Sequence, residues 1–322
     1  MASPEKKIIW AVDPFAEEKT LQRSVGWAIK SITAGQLATI QPVYFFSAYI
    51  MDGPPGISDE LFSEIKAAGQ KAFDRIVKPI KLNPDGLRPL HVIAESNIPL
   101  REGVDRVTHM AKEWGADMVA TGTRARKGLK HLWLGSFAET LVLYSDVPIF
   151  LVNPRWRKSS ALKHILFPTD FSEESREAFH QVLPLAGSLG AKVTLLHKMS
   201  SGWIPVVDVA ESVNTLYNDV FKKQIDWVQS RITQWEQEAK SAGVVVDSVM
   251  DRRPSGSIVD SILAHAKRRP GMIAMTAHSG FAKTVLLGST TRKVLRSSPY
   301  PVWILHPRPK AAEQAGTTPK AA

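Results

Sequence analysis

The chain has 322 residues, with 41 lysines and arginines against 31 aspartates and glutamates, a formal net charge of +10. That length allows about two domains of ordinary size, and the 44% hydrophobic content is ordinary for a globular protein. No stretch reaches the roughly 18 uninterrupted apolar residues of a membrane span, and the lack of cysteine excludes disulfides, thiol nucleophiles and cysteine-based zinc sites. The start, MASPEKK, runs straight into an apolar strand without a signal-peptide layout, so a cytoplasmic protein is expected. The first element is the run Ile8-Ile9-Trp10-Ala11-Val12, closed by Asp13, a strand buried on both faces. A helix is expected over 58–78, a strand over 89–94, a helix over 101–114 and a strand over 118–122. A glycine-containing loop, a helix and a last strand over 148–152 follow. Residues 154–162 are basic and contain serine, as suits a linker.

The second unit opens alike, with Ile165-Leu166-Phe167-Pro168-Thr169 closed by Asp170. Ser172 is an N-cap candidate, Glu173 and Glu174 favour a helix start, and Ala178, Val182, Leu185, Ala186 and Leu189 keep helical spacing up to Gly190. A strand over 192–197, a long helix over 208–242, a strand over 244–250, a helix over 257–266 and strands over 272–276 and 301–305 complete the pattern. Strict alternation of strand and helix implies a parallel sheet with helices on both faces. Beyond Pro307 the tail lacks apolar periodicity and is expected to be disordered.

The tail ends of the two units align without a gap. Residues 132–154 read LWLGSFAETLVLYSDVPIFLVNP and residues 285–307 read VLLGSTTRKVLRSSPYPVWILHP, every counterpart lying 153 positions later. Such a register marks duplication of a whole unit. In the first unit Gly122-Thr123-Arg124-Ala125 is followed by nine residues and then Gly135-Ser136. In the second, Thr276-Ala277-His278-Ser279 is followed by eight residues and then Gly288-Ser289. A parallel sheet of this kind binds ligands beyond the carboxyl ends of its strands. Small residues let backbone N–H groups approach an anion there, and Gly-Ser at a helix start adds the helix dipole and a hydroxyl.

On these residues the chain resembles a tandem member of the universal stress protein family, whose adenine-nucleotide motif is G-x-x-G, nine residues, then G-[ST], with an aspartate closing the first strand. Residues 163–197 are similar to the opening segment of that family, and the likeness spans nearly the whole chain. It implies an α/β fold of two tandem Rossmann-like, adenine nucleotide alpha hydrolase-like domains, each a parallel five-stranded sheet with helices on both faces. The domains would cover 6–154 and 162–307, with 308–322 a disordered tail. The resemblance further implies ATP or a related adenine nucleotide as a regulatory ligand, alone or with Mg2+, and no more than slow hydrolysis. It carries the site onto Asp13, Gly122, Arg124, Ala125, Gly135 and Ser136 in the first unit, and onto Asp170, Thr276, His278, Ser279, Gly288 and Ser289 in the second. Both units depart from the motif: Ala125 replaces the second glycine, and the second loop lacks both glycines and is one residue short. The first unit is therefore the expected nucleotide site. Single-domain members pair their last strands as dimers, so 148–152 and 301–305 are expected to pair as an internal pseudo-dimer. A homodimer of the whole chain is a further expectation.

Other readings stay open. With degenerate loops whose Gly-Ser merely starts a helix, the chain would be a nucleotide-independent protein-interaction module with an unknown protein partner. An enzyme of the related superfamily is disfavoured, because no pyrophosphatase-type Ser-Gly-Gly loop is present. No Ser-His-Asp arrangement, G-x-S-x-G elbow or Walker lysine stands out, and the nine histidines lack metal-ligand spacing. Lys198-Met199-Ser200 matches only a fragment of a tRNA-synthetase signature. The basic residues form short separate clusters, so nucleic acid is a disfavoured partner and a membrane is not expected.

Overall fold

The computed structural model describes residues 5–17, 19–48, 58–96, 98–123, 136–154, 156, 162–199, 211–253, 255–277 and 287–306. Lobe one runs β1 (Lys6–Ala11), α1 (Lys19–Ile32), β2 (Ala38–Ala48), α2 (Asp59–Val77), β3 (His91–Ser96), α3 (Leu100–Trp114), β4 (Met118–Gly122), α4 (Ser136–Tyr144) and β5 (Ile149–Val152). Lobe two runs β6 (His164–Pro168), α5 (Glu173–Leu189), β7 (Lys192–Lys198), α6 (Glu211–Ser241), β8 (Val246–Asp251), α7 (Ile258–Arg268), β9 (Met272–Thr276), α8 (Ser289–Ser297) and β10 (Val302–Leu305). The expected strands and helices stand within a few residues of where their apolar periodicity put them. The expected tail and most of the expected linker lie outside the described residues.

Local chemistry sets the ends. Ser172 accepts from Ser175 N and opens α5, while Ser257 and Asp260 form a reciprocal capping box at α7. Gly115 and Gly190 end α3 and α5 in the left-handed region, at φ 67° and 56°, where a side chain would be strained. The central strands are apolar on both faces: Ile8, Ile9 and Trp10, like Ile165, Leu166 and Phe167, are buried. That is the signature of a sheet covered on both sides.

Each lobe has its strands parallel, in the order β3-β2-β1-β4-β5 for lobe one and β10-β9-β6-β7-β8 for lobe two. The lobes join through β5 and β10, which pair antiparallel with Phe150 opposite Trp303, giving one ten-stranded sheet. The expected pairing of the last strands is what the structure has. One continuous core lies under α1, α2, α5 and α6, and a second lies under α3, α4, α7 and α8; both cross the junction. Because β5 and β10 run in opposite directions, the carboxyl ends of the two parallel sets face opposite edges of the sheet.

Gly271 precedes β9 where the backbone of β6 comes close. A Cβ there would lie 2.0 Å from the His164 carbonyl oxygen, which cannot swing aside as a side chain does. Gly271→Ala is therefore expected to cost about 2–3 kcal/mol, read from the shift in a urea unfolding midpoint.

Candidate functional site

In lobe one the carboxyl ends of β1 and β4 lie side by side. Thr121 Oγ1 donates to the Ala11 carbonyl across them at 3.1 Å, and Thr123 N donates to Val152 O at 3.0 Å. Asp13, two residues past β1, accepts one hydrogen bond, from Phe15 N to Oδ1 at 3.1 Å. That is a short turn, and among the described residues Asp13 Oδ2 accepts no hydrogen bond; the residue is half-buried. Beside it, burial and then the Asp13 charge push the Tyr44 phenol up to about 12. Phe15 is half exposed and meets Tyr44 edge-on at 5.5 Å.

Gly122 ends β4, and here the structure supplies a packing reason for the glycine. A Cβ would lie 2.6–3.1 Å from the Leu21 side chain of α1. Thr123, the next residue, is buried, and its hydroxyl oxygen has no hydrogen-bond partner among the described residues. Ser136 is exposed as the first residue of α4, so the helix begins where the Gly-Ser pair placed it. Glu139 sits in the first turn of α4, with its carboxylate 3.8 Å from Arg292 of α8. Arg124, Ala125 and Gly135 lie outside the described residues, as do His278 and Ser279 of lobe two. The structure thus brings Asp13, Gly122 and Thr123 to one edge.

Lobe two uses its equivalent aspartate differently. Asp170 Oδ1 accepts from Ser172 N at 3.0 Å, Ser172 Oγ at 2.7 Å and Ser175 Oγ at 2.7 Å. Burial pushes this carboxyl up, but the serine hydrogen bonds together outweigh it and hold it below the usual range. The carboxylate is committed to the first turn of α5, as an anion suits a helix N-terminus. The next residue, Phe171, has φ 61°, a left-handed conformation uncommon for a bulky residue. Its ring is buried against Trp235 at 5.0 Å and His197 at 5.3 Å, with Trp227 edge-on at 6.3 Å. Aromatic side chains therefore occupy the position next to Asp170. Thr276 ends β9, its carbonyl accepting from Thr291 Oγ1 at 3.3 Å; Gly288 is the N-cap of α8 without a side-chain cap, and Ser289 is exposed.

A second polar cluster was not singled out from the sequence. Asp251 at the end of β8 is buried and accepts from Arg253 at 2.6 Å and from Ser261 at 2.5 Å; Lys198 lies 3.7 Å away. Arg253 foremost, with help from Ser261 and Lys198 against the burial penalty, holds the Asp251 carboxyl far below the usual carboxylate range. Lys198 is thus tied to a structural cluster, which accounts for it without a catalytic role. The signal was an aspartate closing a strand just before Arg252-Arg253. A folded pKa below the unfolded value adds stability that is complete above about pH 4 and lost as pH falls toward the folded value. Asp251→Asn should therefore cost about 2 kcal/mol at pH 7 and flatten the acid limb of a pH–stability curve measured by denaturant unfolding.

Among the described residues no cluster of three potential metal ligands occurs, and no helix is long and apolar enough to cross a membrane. The model of the universal stress protein family matches the chain twice, over residues 5–153 and 161–306. A universal stress protein of Mycolicibacterium smegmatis is 22% identical over 310 residues, covering 95% of this chain and 99% of that protein. The stress response protein NhaX of Bacillus subtilis is 29% identical over 110 residues, 33% of this chain and 65% of its own length. Among solved structures, a universal stress protein from Archaeoglobus fulgidus superposes with a TM-score of 0.61 at 18% identity, covering 94% of this chain and 98% of that one. A functionally unknown protein from Pseudomonas aeruginosa gives 0.58 at 12% identity, with 94% and 92% covered. Those two likenesses concern the fold alone. With the family model matched in both lobes and the ten-stranded pseudo-dimer behind it, this chain belongs to the universal stress protein family.

Proposed function

We propose that the chain is a regulatory protein of the stress response that binds ATP or a related adenine nucleotide in its first domain, within 6–154, rather than in 162–307. The observation that carries this reading is the contrast between the two aspartates. Asp13 Oδ1 accepts from Phe15 N, whereas Asp170 Oδ1 accepts from three donor groups of two serines, Ser172 and Ser175, with buried Phe171 alongside. The unpartnered Thr123 hydroxyl and the exposed Ser136 at a helix start fit an anionic ligand at the same edge. Glu139, which would otherwise repel a phosphate, is charge-compensated by Arg292.

In this reading Asp13 accepts from the ribose or orients the phosphates, the Gly122–Ala125 loop wraps them, and Gly135-Ser136 presents amides and a hydroxyl to the phosphate end. Ala125 adds a methyl where the motif has glycine. If its conformation is left-handed, the cost is about 1–2 kcal/mol, reducing affinity about ten- to thirtyfold without abolishing it. Mg2+, if it accompanies the nucleotide, would be held mainly by phosphate oxygens and water. In this reading the nucleotide is a regulatory ligand that changes partner binding, with at most slow hydrolysis. Mass spectrometry of small molecules released from the purified protein should find an adenine nucleotide; its absence, together with no binding of added ATP, would refute the proposal.

One observation favours the interaction-module reading. Val220 and Trp227 of α6 are 61% and 45% exposed, seven residues apart on one side of the helix. That reading predicts partner capture that is indifferent to added nucleotide.

A further inference from the structure

The two lobes meet around an approximate two-fold axis that passes between Phe150 and Trp303. These residues are directly opposed in the β5–β10 register, and each is the other's counterpart in the sequence repeat. A residue close to that axis faces its own counterpart. In a pairing of two identical lobes it would face a copy of itself.

At these positions the two copies have become complementary. On one face of the sheet Phe150 opposes the larger Trp303, and both are buried in the same core. On the other face Glu139 and Arg292, again counterparts in the repeat, bring Oε1 and Nε to 3.8 Å. A third counterpart pair also crosses the junction, but not symmetrically. Asn153 Nδ2 donates to the Ser298 carbonyl at 2.6 Å, whereas His306 Nε2 donates to the Val142 carbonyl at 3.1 Å. Ser298 corresponds to Ser145, so His306 has taken an acceptor three residues away from the symmetric one.

We propose that this junction selects unlike lobes and rejects like ones: the partner it fits is the other lobe, and a second copy of the same lobe is excluded. Pairing lobe one with itself would set two glutamates against each other and replace the tryptophan by a smaller ring, leaving a void. Pairing lobe two with itself would oppose two arginines and crowd two indoles into one layer. Any homodimer of the whole chain must then use a different surface.

The test uses the full chain with E139R, R292E and the E139R/R292E swap, reading amide hydrogen exchange in β5 and β10. Each single reversal opposes like charges and is expected to speed exchange there about fivefold at low salt, given the partial exposure of the pair. The swap should return rates to within about twofold of the parent, and 0.5 M salt should flatten all differences. A parallel cycle uses F150W and F150W/W303F: the single variant should lower the unfolding midpoint and the ring swap should recover it. Single reversals without effect, or double variants no better than the sum of their singles, would overturn the proposal.

Discussion

Trp235→Ala is expected to lower the free energy of unfolding by about 3–5 kcal/mol, the range for removing a fully buried large aromatic. Trp235 of α6 is 1% exposed and lies stacked on Phe179 of α5, with ring centroids 5.0 Å apart and an interplanar angle of 17°. It meets Phe171 edge-on at 5.0 Å and Phe167 of β6 at 6.4 Å. The indole is therefore the shared wall of α5, α6 and β6. Its loss would also release Phe171, whose φ of 61° persists only while packing holds the ring. Trp235→Phe keeps part of the stack and should cost clearly less. Guanidinium unfolding of both variants provides the measurement; a loss under about 1 kcal/mol for the alanine variant would mean that this cluster does not hold lobe two together.

The second large effect concerns the aspartates. Asp13→Ala is expected to weaken adenine-nucleotide binding by ten- to a hundredfold, as for loss of a charged hydrogen-bond acceptor worth about 1.5–3 kcal/mol. The same change removes the charge beside Tyr44, so a spectrophotometric titration should find the phenol below its parental value of about 12. Asp170→Ala should leave nucleotide affinity unaltered and instead cost about 1 kcal/mol of stability, because its work is to accept from Ser172 and Ser175 at the start of α5. Equal effects of the two variants on affinity would contradict the division of labour between the lobes.

Much of the fold was legible because its central strands are buried on both faces and so read as unbroken apolar runs. Ile8–Val12 and Ile165–Thr169 stand out against helices with serine caps and glycine stops. The pairing of β5 with β10 was legible from the resemblance to a family whose single-domain members pair their last strands, together with a duplicated last strand at the end of each unit that offers an open edge. The site was less so. Asp13 and Asp170 are identical in type and in position after the strand, and what separates them is the company two and five residues later. Ser172 and Ser175 supply hydroxyls, whereas the corresponding Phe15 and Glu18 do not. Gly122 read as a residue for phosphate approach, yet its bare Cα also makes room for Leu21, a contact between residues a hundred positions apart that no local spacing encodes. The complementary charges of Glu139 and Arg292 were visible in the repeat alignment, but only the antiparallel junction gives their opposition a meaning.

The claim that lobe one holds the nucleotide is tested most directly by calorimetric titration of ATP into the full chain, Gly135→Asp and Gly288→Asp. An added carboxylate at the helix start repels phosphate in whichever lobe binds it. One site is expected in the parent, with loss of binding in Gly135→Asp and unchanged binding in Gly288→Asp. Loss confined to Gly288→Asp would move the site to lobe two, and no binding heat from the parent at several temperatures would leave the protein without the ligand proposed for it.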